Sequence, residues 1–380
     1  MKQRFGILRA ACAAAAIGFA GAASARAQVT PAGGYTPPDD TPTVKVGGTI
    51  FANYTYVGEP QTTDSDGNRI HPNAFDITRA YINVTGNISH LVAFRITPDV
   101  VRTGAVTIPG TTPPVTSDVP GLTGTLTYRL KYAYGQLNFD DWTTKGSWFR
   151  LGMQQTPIVD YEEGIYRYRF QGPIFVDREG FLTSSDLGAS LHWAFPQNYG
   201  DVHVGVYDGE GYTSGEKNDQ KAFQVRATVR PAPMIPVLKG LRLTGFYDGD
   251  HYVQDAKKER FVGQLTFEHP FVNLGVDYLR ATDQNASAAK PEVKAEGYSV
   301  WVTPRTPFGL EALIRFDRIK PNKDADAARQ RLVGGIAYWF PVQKGVAAAV
   351  LLDYEEVRSF HFSPARPRDE RYALHTLFNF

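Results

Sequence analysis

The chain has 380 residues, and its 40 Lys and Arg almost balance its 39 Asp and Glu, which gives a formal net charge of +1. This balance predicts no nucleic-acid partner, because such partners are bound through a strong basic excess. No apolar run beyond residue 27 reaches ten residues. Membrane-spanning helices, which need about 20, are therefore excluded from that part of the chain.

The start of the chain predicts export. A basic beginning and a small apolar run, 10–23, precede Ala25-Arg26-Ala27, which fits a cleavage site. We expect 1–27 to be a secretory signal peptide, with an uncleaved anchor as the alternative. The single cysteine, Cys12, lies inside this segment. The exported chain would therefore make no disulfide and must gain stability from its size or from a closed strand ladder.

The sequence after the signal divides into a flexible periplasmic lead, 28–43, and one domain, 44–380. Residues of this domain alternate between apolar and polar in sixteen segments rich in Val, Ile, Thr, Tyr and Phe, which predicts β-strands. The segments are 45–56, 75–85, 91–98, 125–139, 148–154, 187–195, 202–208, 222–230, 241–248, 261–268, 272–279, 297–303, 310–318, 332–340, 346–355 and 371–380.

The links between these segments alternate in length. Long links at 57–74, 99–124 and 155–186 take turns with short ones such as 86–90 and 140–147. A sandwich or a propeller gives no reason for this alternation. We therefore predict an all-β fold, a 16-stranded antiparallel transmembrane barrel with short periplasmic turns and long extracellular loops, enclosing a water-filled channel.

The end of the chain supports the same fold. Read in steps of two, Tyr372, Leu374, Phe378 and Phe380 form an apolar face on the last segment. This pattern resembles the C-terminal insertion signal of bacterial outer-membrane barrels. It predicts location in the outer membrane, contact with outer-membrane lipid, and recognition by the barrel-assembly machinery.

The lipid-facing rows follow from the cost of placing a charge in lipid, a few kcal/mol at mid-depth. In segment 125–139, Arg129 and Lys131 are therefore expected inside. The opposite row, expected to face lipid, is Leu126, Tyr128, Leu130, Tyr132 and Tyr134.

The inward charges predicted in this way are biased toward basic residues, twelve against six. The twelve are Lys45, Arg79, Arg95, Arg129, Lys131, Arg150, Arg226, Arg230, Arg242, Arg315, Arg331 and Arg371; the six are Glu268, Asp277, Glu311, Asp317, Asp353 and Glu355. Segments two to five supply a basic wall, from Arg79 to Arg150, with no inward acid predicted between its members. Fixed cations in a confined channel concentrate anions. The alternative is that these arginines only hydrate the lumen or pair with acids of an inward loop.

The third long link, 155–186, is predicted to be a constriction loop, since a loop of this length in a compact fold is usually functional. Its charged residues include Asp160, Glu162, Glu163, Arg167, Arg169 and Arg178. Folded inward, its acids would face the basic wall and set a transverse field. The alternative is a lid that faces outward.

Four segments, 75–86, 130–137, 149–157 and 185–188, resemble the phosphate-selective porin O and P family in order and spacing. The family has an Arg-Arg pair in the first segment, where this chain has Thr78 and Arg79, and a lysine where this chain has Gln155. The resemblance implies a trimeric, sixteen-stranded porin with an inward third loop and with arginines that guide anions, including phosphate-like anions.

We therefore expect a porin for passive diffusion of small hydrophilic solutes, with no enzymatic activity, no cofactor and no metal. A general or carbohydrate-type porin is the first alternative, since inward Trp148, Trp301 and Trp339 would stack on sugars. A barrel enzyme is a remote alternative. Its candidate residues, Ser190 and His192, are expected to face water, whereas a lipid hydrolase needs them at the lipid surface.

Overall fold

The computed structural model describes residues 40–103, 125–284, 292–343 and 345–380. The predicted signal peptide, 1–27, and all but the last four residues of the predicted lead lie outside these ranges. The described part contains a closed barrel of sixteen strands, each paired antiparallel with both neighbours. The sixteen-stranded barrel predicted from the alternation is confirmed.

The barrel strands are numbered here in chain order. They are β1 Thr43–Glu59, β2 Asn73–Asn87, β3 Val92–Thr103, β4 Thr125–Asn138, β5 Trp148–Gln155, β6 Ser185–Ala194, β7 Gly200–Tyr207, β8 Ala222–Val229, β9 Leu241–Val253, β10 Ala256–His269, β11 Val272–Asp283, β12 Val293–Pro304, β13 Leu310–Lys320, β14 Ala328–Trp339, β15 Ala347–Phe360 and β16 Asp369–Asn379. A small hairpin, Thr62–Thr63 with Arg69–Ile70, lies in the first long loop.

The barrel closes between its first and last strands. Thr49 of β1 pairs with Asn379 of β16, and the Phe380 carbonyl accepts a 2.8 Å hydrogen bond from the Gly48 amide. Closure matters because an open strand edge in lipid leaves its backbone groups without partners.

The outer face of β16 carries the residues of the predicted insertion signal. Tyr372, Leu374, Phe378 and Phe380 are all exposed on the outside of the barrel. The Tyr372 ring lies 5.2 Å from that of Tyr354, forming part of an aromatic cluster on that face. Such clusters are typical of the interfaces of membrane barrels.

Two helices lie in the third long loop, α1 Val159–Tyr166 and α2 Phe175–Arg178. Neither these nor any other helix within the described ranges is long and apolar enough to cross a membrane.

Two β-bulges change which residues face the lumen. Where β1 pairs with β2, Phe51 opposes Arg79 while Ala52 opposes Ile77, so Thr78 is an extra residue. A bulge puts two residues opposite one and shifts the alternation that follows by one position. Phe75 and Ile77 therefore face outward, whereas Arg79 beyond the bulge faces the lumen.

The second bulge corrects one prediction. Thr97 of β3 opposes Tyr132 of β4 while Pro98 opposes Leu130, which makes Lys131 the extra residue. Leu126, Tyr128 and Leu130 are exposed on the outer face as predicted, but Tyr132 and Tyr134 are buried inside. Their assignment to the lipid face was wrong, because the bulge reverses the alternation at Lys131.

Candidate constriction site

The third loop enters the barrel and packs on one side of the wall. The rings of Tyr166 and Trp301 meet edge to face at 5.2 Å, and those of Tyr168 and Trp339 at 5.9 Å. Phe170 extends this aromatic contact to Phe51 of β1. Burial of large aromatic rings is a strong driving force for the inward position.

Polar contacts hold the same loop to strands β11 to β15. The Arg167 guanidinium donates to Glu311 Oε1 at 3.1 Å, and the Tyr168 hydroxyl donates to Glu311 Oε2 at 3.0 Å. The Arg178 guanidinium donates to Glu355 at 2.8 Å. The Asn273 amide donates to the Ile165 carbonyl at 2.7 Å. The predicted inward loop is confirmed, and the alternative of an outward lid is wrong.

The predicted loop charges therefore have different surroundings. Arg167 and Arg178 are neutralised by acids of the wall. Arg169 pairs within the loop, with Nε 2.5 Å from Glu163 Oε1 and Nη2 3.6 Å from Asp177. Burial raises the pKa of Glu163 to about 7, although the Arg169 guanidinium works in the opposite direction.

Opposite the anchored side, four basic residues descend along β3, β4 and β5 as a ladder: Arg129, Lys131, Arg95 and Arg150. The register sets their order, since Asp99 opposes Arg129, Arg95 opposes Tyr134 and Gln136 opposes Arg150. We call these four residues the basic ladder.

An aromatic ring lies against each cation of the basic ladder. The distance from cation to ring centroid is 4.5 Å for Arg129 on Tyr212, 5.0 Å for Lys131 on Tyr81, 4.4 Å for Arg95 on Tyr132, and 3.6 Å for Arg150 on Trp148. Cation–π contact holds a guanidinium in place without neutralising its charge.

Neutral hydrogen-bond partners complete the positioning of the basic ladder. Lys131 donates to the Tyr81 hydroxyl at 2.8 Å, and Arg150 donates to Gln136 Oε1 at 2.7 Å and Gln155 Oε1 at 3.1 Å. Arg129 donates to the Tyr212 hydroxyl at 2.9 Å.

One acid lies within the predicted basic wall, contrary to expectation. The buried Asp99 carboxylate is 3.8 Å from Arg79 and 3.9 Å from Arg129. The sequence reading ended the third strand at residue 98, but β3 continues to Thr103 and turns Asp99 inward. Arg79 and Arg129 thus share one negative charge.

Two other predicted pore-lining bases, Arg226 and Arg242, lie apart from the basic ladder. Arg226 pairs with Asp201 and stacks on Tyr161 of the loop at 3.9 Å. Arg242 donates to Glu268 at 2.7 Å. Both are ion-paired, Arg226 on β8 and Arg242 on β9.

Acids of the loop face the basic ladder. Asp160 of α1 accepts a 2.9 Å hydrogen bond from the Tyr132 hydroxyl. A small cavity separates the two sides, and its lining includes Arg95, Lys131, Asp160, Glu163 and Arg169. Carboxylates on one side and cations on the other define a transverse field at this level.

The expected two-to-one excess of inward bases is wrong for the buried groups. Among described residues, nine buried side chains are basic and eleven are acidic. The sequence reading missed Asp99 and Asp250, because their strands extend beyond the predicted ends, and it also missed the buried Asp248 at the end of a predicted segment. Any preference for anions or cations must therefore come from the positions of the charged side chains and not from their total number.

Sequence reasoning also missed the aromatic partners. Tyr212 comes from the loop after β7, a position that no strand pattern marks. Within the described ranges, no group of three or more His, Cys, Asp or Glu side chains is arranged to hold a metal ion.

The fold is that of outer-membrane porins, as comparison with solved structures shows. OmpT of Vibrio cholerae in a trimer form aligns with a TM-score of 0.54 and 11% identity, covering 90% of this chain and 100% of that one. An anion-selective porin from Comamonas acidovorans aligns with a TM-score of 0.57 and 10% identity, covering 90% of this chain and 100% of that one. The outer-membrane channel DcaP of Acinetobacter baumannii aligns with a TM-score of 0.56 and 12% identity, covering 89% of this chain and 97% of that one.

Sequence comparison gives no such match. No model of a known protein family matches this chain, and no curated protein sequence matches it significantly.

Removal of one loop anchor tests how the constriction is held. Glu311 and Arg167 are 4% and 1% exposed, so Glu311→Gln leaves a buried guanidinium without its counter-charge. We expect the free energy of unfolding to fall by about 3–5 kcal/mol in denaturant titrations of the detergent-solubilised protein.

The matched control is Glu268→Gln, whose carboxylate also binds an arginine but is 41% exposed. It should cost no more than about 1 kcal/mol, since solvent screens such a pair. Equal losses in the two variants would contradict the anchoring role of Glu311.

Proposed function

We propose that the protein is an outer-membrane porin that lets small hydrophilic solutes diffuse passively and prefers anions. One observation carries the preference: Lys131 and Arg150 of the basic ladder are held by rings and neutral hydrogen-bond partners. Their charge therefore remains effective toward a passing anion. The fold shared with outer-membrane porins supports the channel itself.

The surroundings of the basic ladder also support this function. Tyr132 and Tyr134, turned inward by the bulge, separate the cations along the descent. An anion that leaves one cation of the basic ladder meets the next one after a short step. Conduction requires that each site binds the anion strongly enough for it to enter and weakly enough for it to leave. Asp160 and Glu163 across the lumen would keep that binding weak.

Recording from single channels in planar bilayers tests the preference. In a salt gradient, the reversal potential of the native protein should have the sign of anion preference. The double variant Arg129→Gln and Lys131→Gln should move it toward zero, because two charges leave the basic ladder. Lys239→Gln, in the exposed turn before β9, is the control and should change nothing. Cation preference of the native channel would contradict the proposal.

Phosphate is the finer candidate, from the resemblance to the phosphate-selective porin O and P family. We expect millimolar phosphate to reduce the chloride current, and Arg95→Gln and Arg150→Gln to weaken that block. The measurement is chloride conductance against phosphate concentration, with sulfate for comparison. Absence of any block would leave an anion channel without phosphate specificity.

The ionisation of Glu163 gives a separate prediction. With a pKa of about 7, this carboxyl is neutral below that pH and negative above it. Raising the pH from about 6 to about 8 should therefore reduce anion preference, because a negative charge appears opposite the basic ladder. Glu163→Gln should flatten this dependence of the reversal potential. An unchanged dependence in the variant would assign it to another group.

The carbohydrate-type alternative has one supporting residue. Trp301 and Trp339 are covered by Tyr166 and Tyr168 of the loop, which occupies the faces that a sugar would need. Trp148 alone remains partly exposed, and it stacks on Arg150 and His192.

For the enzymatic alternative, the Ser190 hydroxyl donates to Gln154 Oε1 at 2.6 Å, and this contact provides no activating base.

Assembly and targeting complete the proposal. The trimer form of Vibrio cholerae OmpT supports a homotrimer for this chain. Export by the signal peptide 1–27 and recognition of the β16 face by the barrel-assembly machinery would bring the chain to the outer membrane. Both steps agree with an apolar outer surface that carries aromatic residues.

A further inference from the structure

Behind the constriction loop, two carboxyl groups meet in the barrel interior. Glu162 of α1 and Asp277 of β11 share a neighbour, Gln264 of β10, which donates to Glu162 and opposes Asp277 in the register. The register places Gln264 of β10 and Ser299 of β12 on either side of Asp277. Two carboxylates, an amide oxygen and a hydroxyl therefore converge at one level of the wall.

These oxygens are buried and largely unpartnered. Asp277 is 0% exposed and Glu162 is 1% exposed, so neither is hydrated from the channel. Within the described residues, no hydrogen bond reaches either oxygen of Asp277, Glu162 Oε1, Gln264 Oε1 or Ser299 Oγ. The Gln264 amide nitrogen donates to the other oxygen of Glu162, which leaves its own carbonyl oxygen free.

The neighbouring cation, Arg315, already has other partners. Arg315 of β13 binds both oxygens of Asp317 at 2.8 Å and donates to the Pro173 carbonyl at 2.7 Å. No ion pair in the described ranges includes Glu162 or Asp277, so this pair keeps an excess of negative charge. Two neighbouring buried carboxylates require either a bound cation or a shared proton.

We propose that this cluster binds a calcium ion, which fastens the constriction loop to the wall. The donor set is oxygen only and joins two acids to neutral oxygens, which suits Ca²⁺, a hard cation that takes oxygen ligands. Glu162 belongs to the loop and the other three ligands to the wall, so the ion bridges the two. This site stands apart from the basic ladder and does not depend on anion preference.

Full-chain protein, refolded in detergent without lipopolysaccharide and stripped with EDTA, provides the test. Added Ca²⁺ should raise the midpoint of thermal unfolding at pH about 8, since a ligand of the native state stabilises that state. Titration calorimetry with CaCl₂ should give one site per chain. Asp277→Asn and Glu162→Gln should each weaken this binding at least about tenfold, because affinity follows the charge of the ligands.

Asp353→Asn is the matched control, since Asp353 is an equally buried acid that binds His375 at 3.1 Å elsewhere in the lumen. It should keep the full response to calcium. The proposal is overturned if the stripped native protein shows no response, which would assign the pair a shared proton. It is equally overturned if Glu162→Gln responds as the native protein does. Glu162 lies in the loop, so its substitution leaves the barrel strands intact.

Discussion

The two-residue period of the strands determines which side chains of this barrel face the lumen. Successive side chains face water and lipid in turn, so one side chain cannot change face unless the residues that follow it in the strand change face too. The bulges at Thr78 and Lys131 are the points where that period is reset. Without the second bulge, Arg129 and Tyr134 would face opposite sides of the wall. The basic ladder with its inward rings therefore depends on one extra residue in β4.

The strands and their order were predictable because each of the sixteen segments shows the alternation of apolar and polar residues independently of the others. The bulges were not, since Lys131 looks from sequence like an ordinary inward cation and only the pairing with β3 shows it to be extra. Asp99 was missed for a related reason: Pro98 read as a strand end, whereas β3 continues past it. The loop position was predictable from length, but its partners, Glu311 and Glu355, are more than 140 residues away in sequence.

Net charge is a poor guide to what such a channel admits. The buried acids outnumber the buried bases, yet Glu311 and Asp317 are paired with arginines. A paired charge projects little field into the lumen, whereas a guanidinium held by a ring or an amide keeps its own. Within the basic ladder, Lys131 and Arg150 are held by rings and neutral hydrogen-bond partners.

The asymmetry of the constriction loop links stability to selectivity. Its contacts with β11 to β15 use ion pairs and edge-to-face ring contacts, and this leaves Asp160 and Glu163 directed to the opposite side, toward Tyr132 and Lys131. A loop fastened less firmly on the anchored side would change the distance between these acids and the basic ladder. The field that acts on a solute therefore depends on buried contacts, such as Arg167 with Glu311, that no solute touches.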